Sequence, residues 1–285
     1  MTIGPRTQGS IQVGDDWDPI DPGVLADQRA AYEEMRQRCP VAHSEFMGWS
    51  LFRWDDVDHV LADPEAFSSV SRHPAIPNGM DPPEHTRYRT ALEPLFAVET
   101  IERVERRCDA IAAELVTGLV RTGHGELLQD FAEPAALRGL CAFLGWPESQ
   151  WEALGGWTHG NQQVALSRDR SAARALAILL TEHVTRNLDE HRLHQPPRDV
   201  TDELLATTVD GGTLSDEQLV ASLRNWIAGA GTVAAGISLI VLHLAEHSEL
   251  QGRLRREPAL IPDAVEEILR ADDPLIANRR TATRP

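Results

Sequence analysis

A mainly α-helical fold with a small β region is predicted by three observations. Apolar residues recur at i, i+3 and i+4 spacing through most of the chain beyond residue 23. Capping residues precede many of these runs, and Gly or Pro closes them. Strand-like character is confined to a short stretch, residues 48–54. With 285 residues, 42% of them hydrophobic, the chain is long enough to bury a full core.

In chain order, residues 1–22 are polar and rich in Gly, Pro and Asp, and are expected to form a flexible arm ahead of an ordered body over 23–285. A helix is predicted over 24–38, the strand at 48–54, and a helix over 55–61 closed by Asp63 and Pro64. Residues 68–81 carry Pro74, Pro77 and Gly79 and read as a long loop of the kind that covers a site. Helices follow over 84–95, 99–121 (stopped by Gly123), 131–144, 148–158 and 169–193. The strongest start signal comes next. Ser215 can cap a helix, Gln218 completes a capping box, and Leu214 with Leu219 suits a hydrophobic staple. Leu219, Leu223, Ile227, Val233, Ile237, Ile240 and Leu244 continue that helix to about His247. Ser248 with Gln251 repeats the box, and Pro262 fits the first turn of a helix carrying Glu267. No repeat, linker or second-domain boundary is visible.

A net charge of −17 and a pI near 5.0 repel phosphate backbones and anionic lipid, so neither nucleic acid nor a membrane is an expected partner. Cys39, Cys108 and Cys141 are far apart and odd in number, which points to reduced thiols in a cytoplasm. The first residues lack the apolar core of a signal peptide. Residues 226–242 are uncharged and long enough to be weighed as a membrane span, but their Ala and Gly content makes a buried core helix the expectation.

The candidate chemistry begins inside that helix, at Ala228, Gly229, Ala230, Gly231 and Thr232. Each helical Gly, with Gly236 a third, costs about 1 kcal/mol relative to Ala. Clearing side chains from one face would let a flat, bulky group lie against the backbone, with the Thr232 hydroxyl beside it; close helix packing is the other reading. Glu267 and Arg270 stand three apart on one helix face and can pair, as many surface pairs do. His85 and Arg89 are four apart, so a donor and a cation project together toward one carboxylate. His243, Glu246 and His247 fit an inverted zinc-protease motif, H-x-x-E-H, at the solvent end of the long helix, with no downstream ligand helix evident. His191 and His194, beside Pro196 and Pro197, read as loop.

Taken in order, His85-x-x-x-Arg89, the Ala-Gly-x-Gly-Thr run and Glu267-x-x-Arg270 resemble the cytochrome P-450 family of haem-thiolate monooxygenases. The resemblance implies that fold without its C-terminal part, with haem b as cofactor. It implies insertion of one oxygen atom from dioxygen into a small organic substrate, using NAD(P)H electrons delivered by a ferredoxin and reductase. The segments around Arg224 and Pro274 look like the class whose reductase is fused to the haem domain. By resemblance Thr232 is the catalytic threonine, and Ala228, Gly229 and Gly231 form the distal haem and oxygen face. Gly231 departs from the family pattern, which has an acid there. His85, Arg89 and Arg280 would hold haem propionates, Glu267 and Arg270 would be structural, and residues 71–80 with parts of 155–175 would line the substrate pocket. None of the three cysteines sits in a haem-binding loop, so the axial thiolate is expected beyond Pro285. The same resemblance leaves room for a haem-free relative that stabilises a partner enzyme.

Overall fold

Aspartates set the first turns of the chain. In the computed structural model, which describes residues 16–71, 75–167, 169–194, 196–275 and 277–284, Asp21 caps a short helix α1 (Pro22–Ala26) and Asp27 caps α2 (Gln28–Arg38). The single helix expected over 24–38 is therefore two, because the Asp27 carboxylate takes the Ala30 amide at 3.0 Å and restarts the turn. Residues 1–15 of the expected arm lie outside the described residues. From Asp16 the chain is tied down: its amide donates to the His43 carbonyl, its carboxylate accepts the His43 amide, and Trp17 packs edge-on against Phe52.

Strand β1 (Val41–Ser44), which the sequence reading missed, pairs antiparallel with β2 (Gly48–Leu51) from Val41↔Leu51 to Ser44↔Gly48. Helix α3 (Trp54–Ala62) follows, starting one residue before expectation. Then Phe67–Ser68 (β3) pairs with Thr281–Ala282 near the C-terminus, and the Thr283 amide bonds to the Ala66 carbonyl. By contacts the chain forms two units, one running to Ser68 and including residues from Arg280 onward, the other covering Ser69–Arg279. A unit closed by a strand from the far end of the chain leaves no compositional mark at its boundary.

The second unit is helical. Helix α4 (Glu84–Leu92) tightens into a 3-10 turn at Glu93–Phe96, and α5 (Val98–Thr122) ends at Gly123 as expected. A π turn at Leu128–Ala132 leads into α6 (Glu133–Leu144). Then come α7 (Trp151–Ser167), which extends well beyond the predicted 148–158, and α8 (Arg170–His191), capped by Asp169. Helix α9 (Val200–Ala206) and the hairpin Thr208–Val209 (β4) with Gly212–Thr213 (β5) were not anticipated. Its turn is Asp210-Gly211, both at positive φ, a sequence signal for a tight hairpin.

Helix α10 (Asp216–Glu246) starts as predicted. Ser215 and Gln218 form both bonds of the capping box, and Leu214 and Leu219 are both buried. It packs on α6, α7, α8 and on α12 (Ile261–Ala271). Leu223 and Ile227 are fully buried with Leu144, Val184, Val200 and Leu204, each such side chain contributing roughly 1.5–3 kcal/mol. The helix has the length and hydropathy of a membrane span, yet its N-terminal half is the centre of this core. The second capping box does not form. In α11 (Ser248–Arg256) Ser248 lies inside the first turn, and the Gln251 side chain donates to the Leu244 carbonyl of the preceding helix.

Candidate functional site

Residues 228, 229 and 232 of α10 lie three and four apart and share one face. Ala228 is exposed, and Gly229 and Thr232 are half-buried. A Cβ added at Gly229 would meet nothing within 4 Å, so this stretch of helix backbone borders open space. Ser222 and Ser238 spend their hydroxyls on the carbonyls of Gln218 and Ala234, whereas the Thr232 hydroxyl has no hydrogen-bond partner among the described residues. Gly231 turns elsewhere: a Cβ there would stand 3.2 Å from Thr158 Cγ2 and 3.4 Å from Gln162 Nε2 of α7. Gly236 meets Leu269 of α12 at 3.4 Å. The expected glycine-cleared face is thus divided, with Gly229 open and Gly231 and Gly236 admitting neighbouring helices.

Helix α4 is held by its middle. Tyr88 is buried and accepts a 2.5 Å bond from Gln218 Nε2, while Arg87 pairs with Asp210 of the hairpin turn. That leaves His85, half-buried, and Arg89, exposed, one turn apart with side chains that have no polar partner among the described residues. Arg280 lies in the first unit, half-buried next to exposed Arg279. On α12, Arg270 Nε and Nη2 reach the two Glu267 oxygens at 2.7 and 2.8 Å in a forked, exposed pair. The Arg270 bonds hold the Glu267 carboxyl below the usual range.

The cytochrome P450 family model matches residues 160–273, from the middle of α7 through α12. The cytochrome P450 YjiB of Bacillus subtilis (strain 168) is 30% identical over 269 residues, covering 89% of this chain and 67% of that one. This chain belongs to the cytochrome P450 family. The vitamin D(3) 25-hydroxylase of Pseudonocardia autotrophica is 32% identical over 265 residues, 86% of this P450 and 64% of that enzyme. The structure of cytochrome P450 CYP109Q5 from Chondromyces apiculatus matches with a TM-score of 0.78 at 25% identity, over 92% of this chain and 69% of that one. This chain therefore spans about two thirds of the length of such relatives.

In this P450 no cysteine is placed as a ready thiolate. Cys141 is fully buried on α6, and burial pushes its thiol up to about 12. Burial also raises Cys108, and Cys39 donates to the Val41 carbonyl at 3.3 Å. The rival zinc motif does not converge: the His243 and His247 rings stack 4.1 Å apart, and His247 Nδ1 is bonded to the His243 carbonyl. The described residues do gather a different set, His191, His194, Asp199 and Asp202, of which the sequence analysis names only the two histidines. The spacing H-x-x-H followed by D-x-x-D was the signal available for it. Of the loop expected over the substrate, residues 72–74 lie outside the described residues, as does Arg168 in the second pocket segment.

Proposed function

We propose that this P450 is a haem-dependent monooxygenase that inserts one oxygen atom from dioxygen into a small organic substrate, with NAD(P)H electrons arriving through a redox partner in a reducing cytoplasm. The observation that carries the reading is the open face of α10 at Ala228, Gly229 and Thr232, in a chain whose family binds haem. Haem, when bound, supplies the reductive activation of dioxygen. Gly229 admits a flat ring system, since a larger side chain there would occupy the space beside the helix. Among the described residues Thr232 Oγ1 has no competing bond, so it can hold a water or pass a proton at that face. Gly231 supplies no carboxylate, so ordered water or another acid would complete the relay with Thr232. His85 and Arg89 offer an imidazole and a cation to one propionate, and the family resemblance assigns Arg280 to another. The forked Glu267–Arg270 pair is assigned a structural role by the family resemblance.

Haem titration of the purified chain tests this. Gly229→Leu should weaken binding by filling the open face, and loss of either His85 or Arg89 should weaken it by about 1.5–3 kcal/mol, the worth of a hydrogen bond to a charged group. Affinity indifferent to all three substitutions refutes the placement. A parent chain that takes up no haem would favour the partner-stabilising, haem-free relative. In an enzyme loaded with haem and supplied with electrons, Thr232→Ala should divert reducing equivalents to peroxide; unchanged coupling would remove Thr232 from the proton route.

A further inference from the structure

At the turn between α8 and α9, four side chains outside the α10 face converge. His191 ends α8, His194 follows it by one turn, and Asp199 and Asp202 are the cap and third residue of α9. His191 Nδ1 lies 2.8 Å from Asp202 Oδ1 and 3.3 Å from Asp199 Oδ1, and His194 Nδ1 lies 3.1 Å from Asp202 Oδ1. One ligand atom from each of the four falls within 4.8 Å of every other. Asp202 and His191 are nearly sealed from water, with side-chain exposures of 2% and 4%. Burial disfavours charge on both, but their hydrogen bonds outweigh it, holding Asp202 below and His191 above their usual ranges.

Two features separate this cluster from an ordinary ion pair. Among the described residues no guanidinium reaches Asp199 or Asp202; Arg192 pairs with Asp189 and Asp216, and Arg198 gives Asp202 only its backbone amide. Two carboxylates are therefore answered by imidazoles alone, a donor set of two nitrogens and two oxygens. The frame is also rigid. Thr201 donates to the Leu144 carbonyl at 2.7 Å and accepts from Trp146 Nε1, which fastens α9 to the end of α6. Gly145, at φ 76°, is packed so closely that an added Cβ would stand 2.2 Å from Asp199 Cγ, so glycine is required there twice over. Backbone amides orient both carboxylates, Arg198 N on Asp202 Oδ2 and Asp202 N on Asp199 Oδ1. A cleft of about 480 Å³, lined by His191, His194, Pro196, Pro197 and Asp202, opens on the cluster and gives an ion a way in.

We propose that His191, His194, Asp199 and Asp202 form a structural site for one divalent d-block cation of the zinc type, clamping α8 to α9. Nitrogen and oxygen ligands of a tetrahedral zinc stand about 2.0–2.2 Å from the metal, hence roughly 3.3–3.5 Å from one another, within the span seen here. Two neutral imidazoles and two carboxylates balance the dication, the metal replacing the hydrogen bonds that now join the imidazoles to the carboxylates. The site is independent of haem.

The test is titration of the chelator-treated chain with Co²⁺ alone, followed by Zn²⁺. About one equivalent should bind with the intense visible absorption of tetrahedral cobalt, be displaced by Zn²⁺, and raise the unfolding midpoint. His194 is part-exposed, so His194→Gln should fold, and its affinity should fall at least about tenfold. His243→Gln, in the stacked pair at the end of α10, should leave binding unchanged. Absence of stoichiometric Co²⁺ binding by the folded parent, or equal affinity in His194→Gln, overturns the proposal. Should that variant not fold, diethyl pyrocarbonate mapping of the parent decides: Zn²⁺ must protect the part-exposed His194, and unchanged labelling there overturns the site.

Discussion

Gly229 and Gly231 are two residues apart on one helix and do different work. At Gly229 an alanine methyl would enter open space and remove a helix-interior glycine, so Gly229→Ala should stabilise the haem-free chain by about 0.5–1 kcal/mol in urea unfolding. At Gly231 the same methyl presses on Thr158, itself buried and bonded to the Leu154 carbonyl. Gly231→Ala should therefore gain less or destabilise, and an equal gain at both positions would show that the α7 contact is slack. Cys141 makes a second residue-level prediction. With its thiol pushed up to about 12, very little of it is thiolate at pH 8. Iodoacetamide at pH 8 should leave Cys141 unmodified in the folded chain and label it on unfolding, while Cys39, which is not fully buried, reacts earlier.

At the scale of elements, α5, α6 and the turn before α7 are clamped by one buried guanidinium. Arg138 on α6 donates to both oxygens of Glu114 on α5 at 2.7 and 3.3 Å and, through Nε, to Glu148 at 2.6 Å; Arg107 joins Glu148 from α5. Hydrogen bonding to Arg138 holds Glu114 below the usual carboxylate range. A carboxylate depressed in the folded state lends stability at neutral pH, which is lost as pH falls through its folded value. Arg138→Met should cost about 1–2 kcal/mol near pH 7, and its deficit should shrink on acidification below the ordinary carboxylate range. A deficit constant from pH 7 to pH 3 would mean the loss is one of packing. None of this clamp was legible in the sequence, since Glu114, Arg138 and Glu148 carry no short-range pattern. The start of α10 was legible, because Ser215, Gln218, Leu214 and Leu219 act within one turn. So was the Glu267–Arg270 pair. Helix α9 and the hairpin after it were missed although the Asp210-Gly211 turn was in plain view, and spacing alone does not say which neighbour Gly231 admits.

For the whole molecule the decisive question is what holds iron. The motifs that mark the family run from His85 to Arg270, and α4, α10 and α12 carry them in the helices where the sequence placed them. The family's axial thiolate has no counterpart among Cys39, Cys108 and Cys141: one bonded to a backbone carbonyl, two raised by burial. On the proposed placement, an isolated chain of residues 1–285 would meet haem with the open face of α10 and with His85 and Arg89, yet none of its three cysteines is ready to ligate the iron. Its reduced, carbon monoxide-bound spectrum should lack the strongly red-shifted Soret band of thiolate ligation, and its haem should dissociate readily to apomyoglobin. The two readouts separate the two halves of the argument. Slow haem loss without the thiolate band would mean that another side chain ligates the iron. A thiolate band, abolished by one Cys→Ser substitution, would mean that one of these cysteines moves to the iron, and the placement of α10 as the haem-facing helix would have to be abandoned.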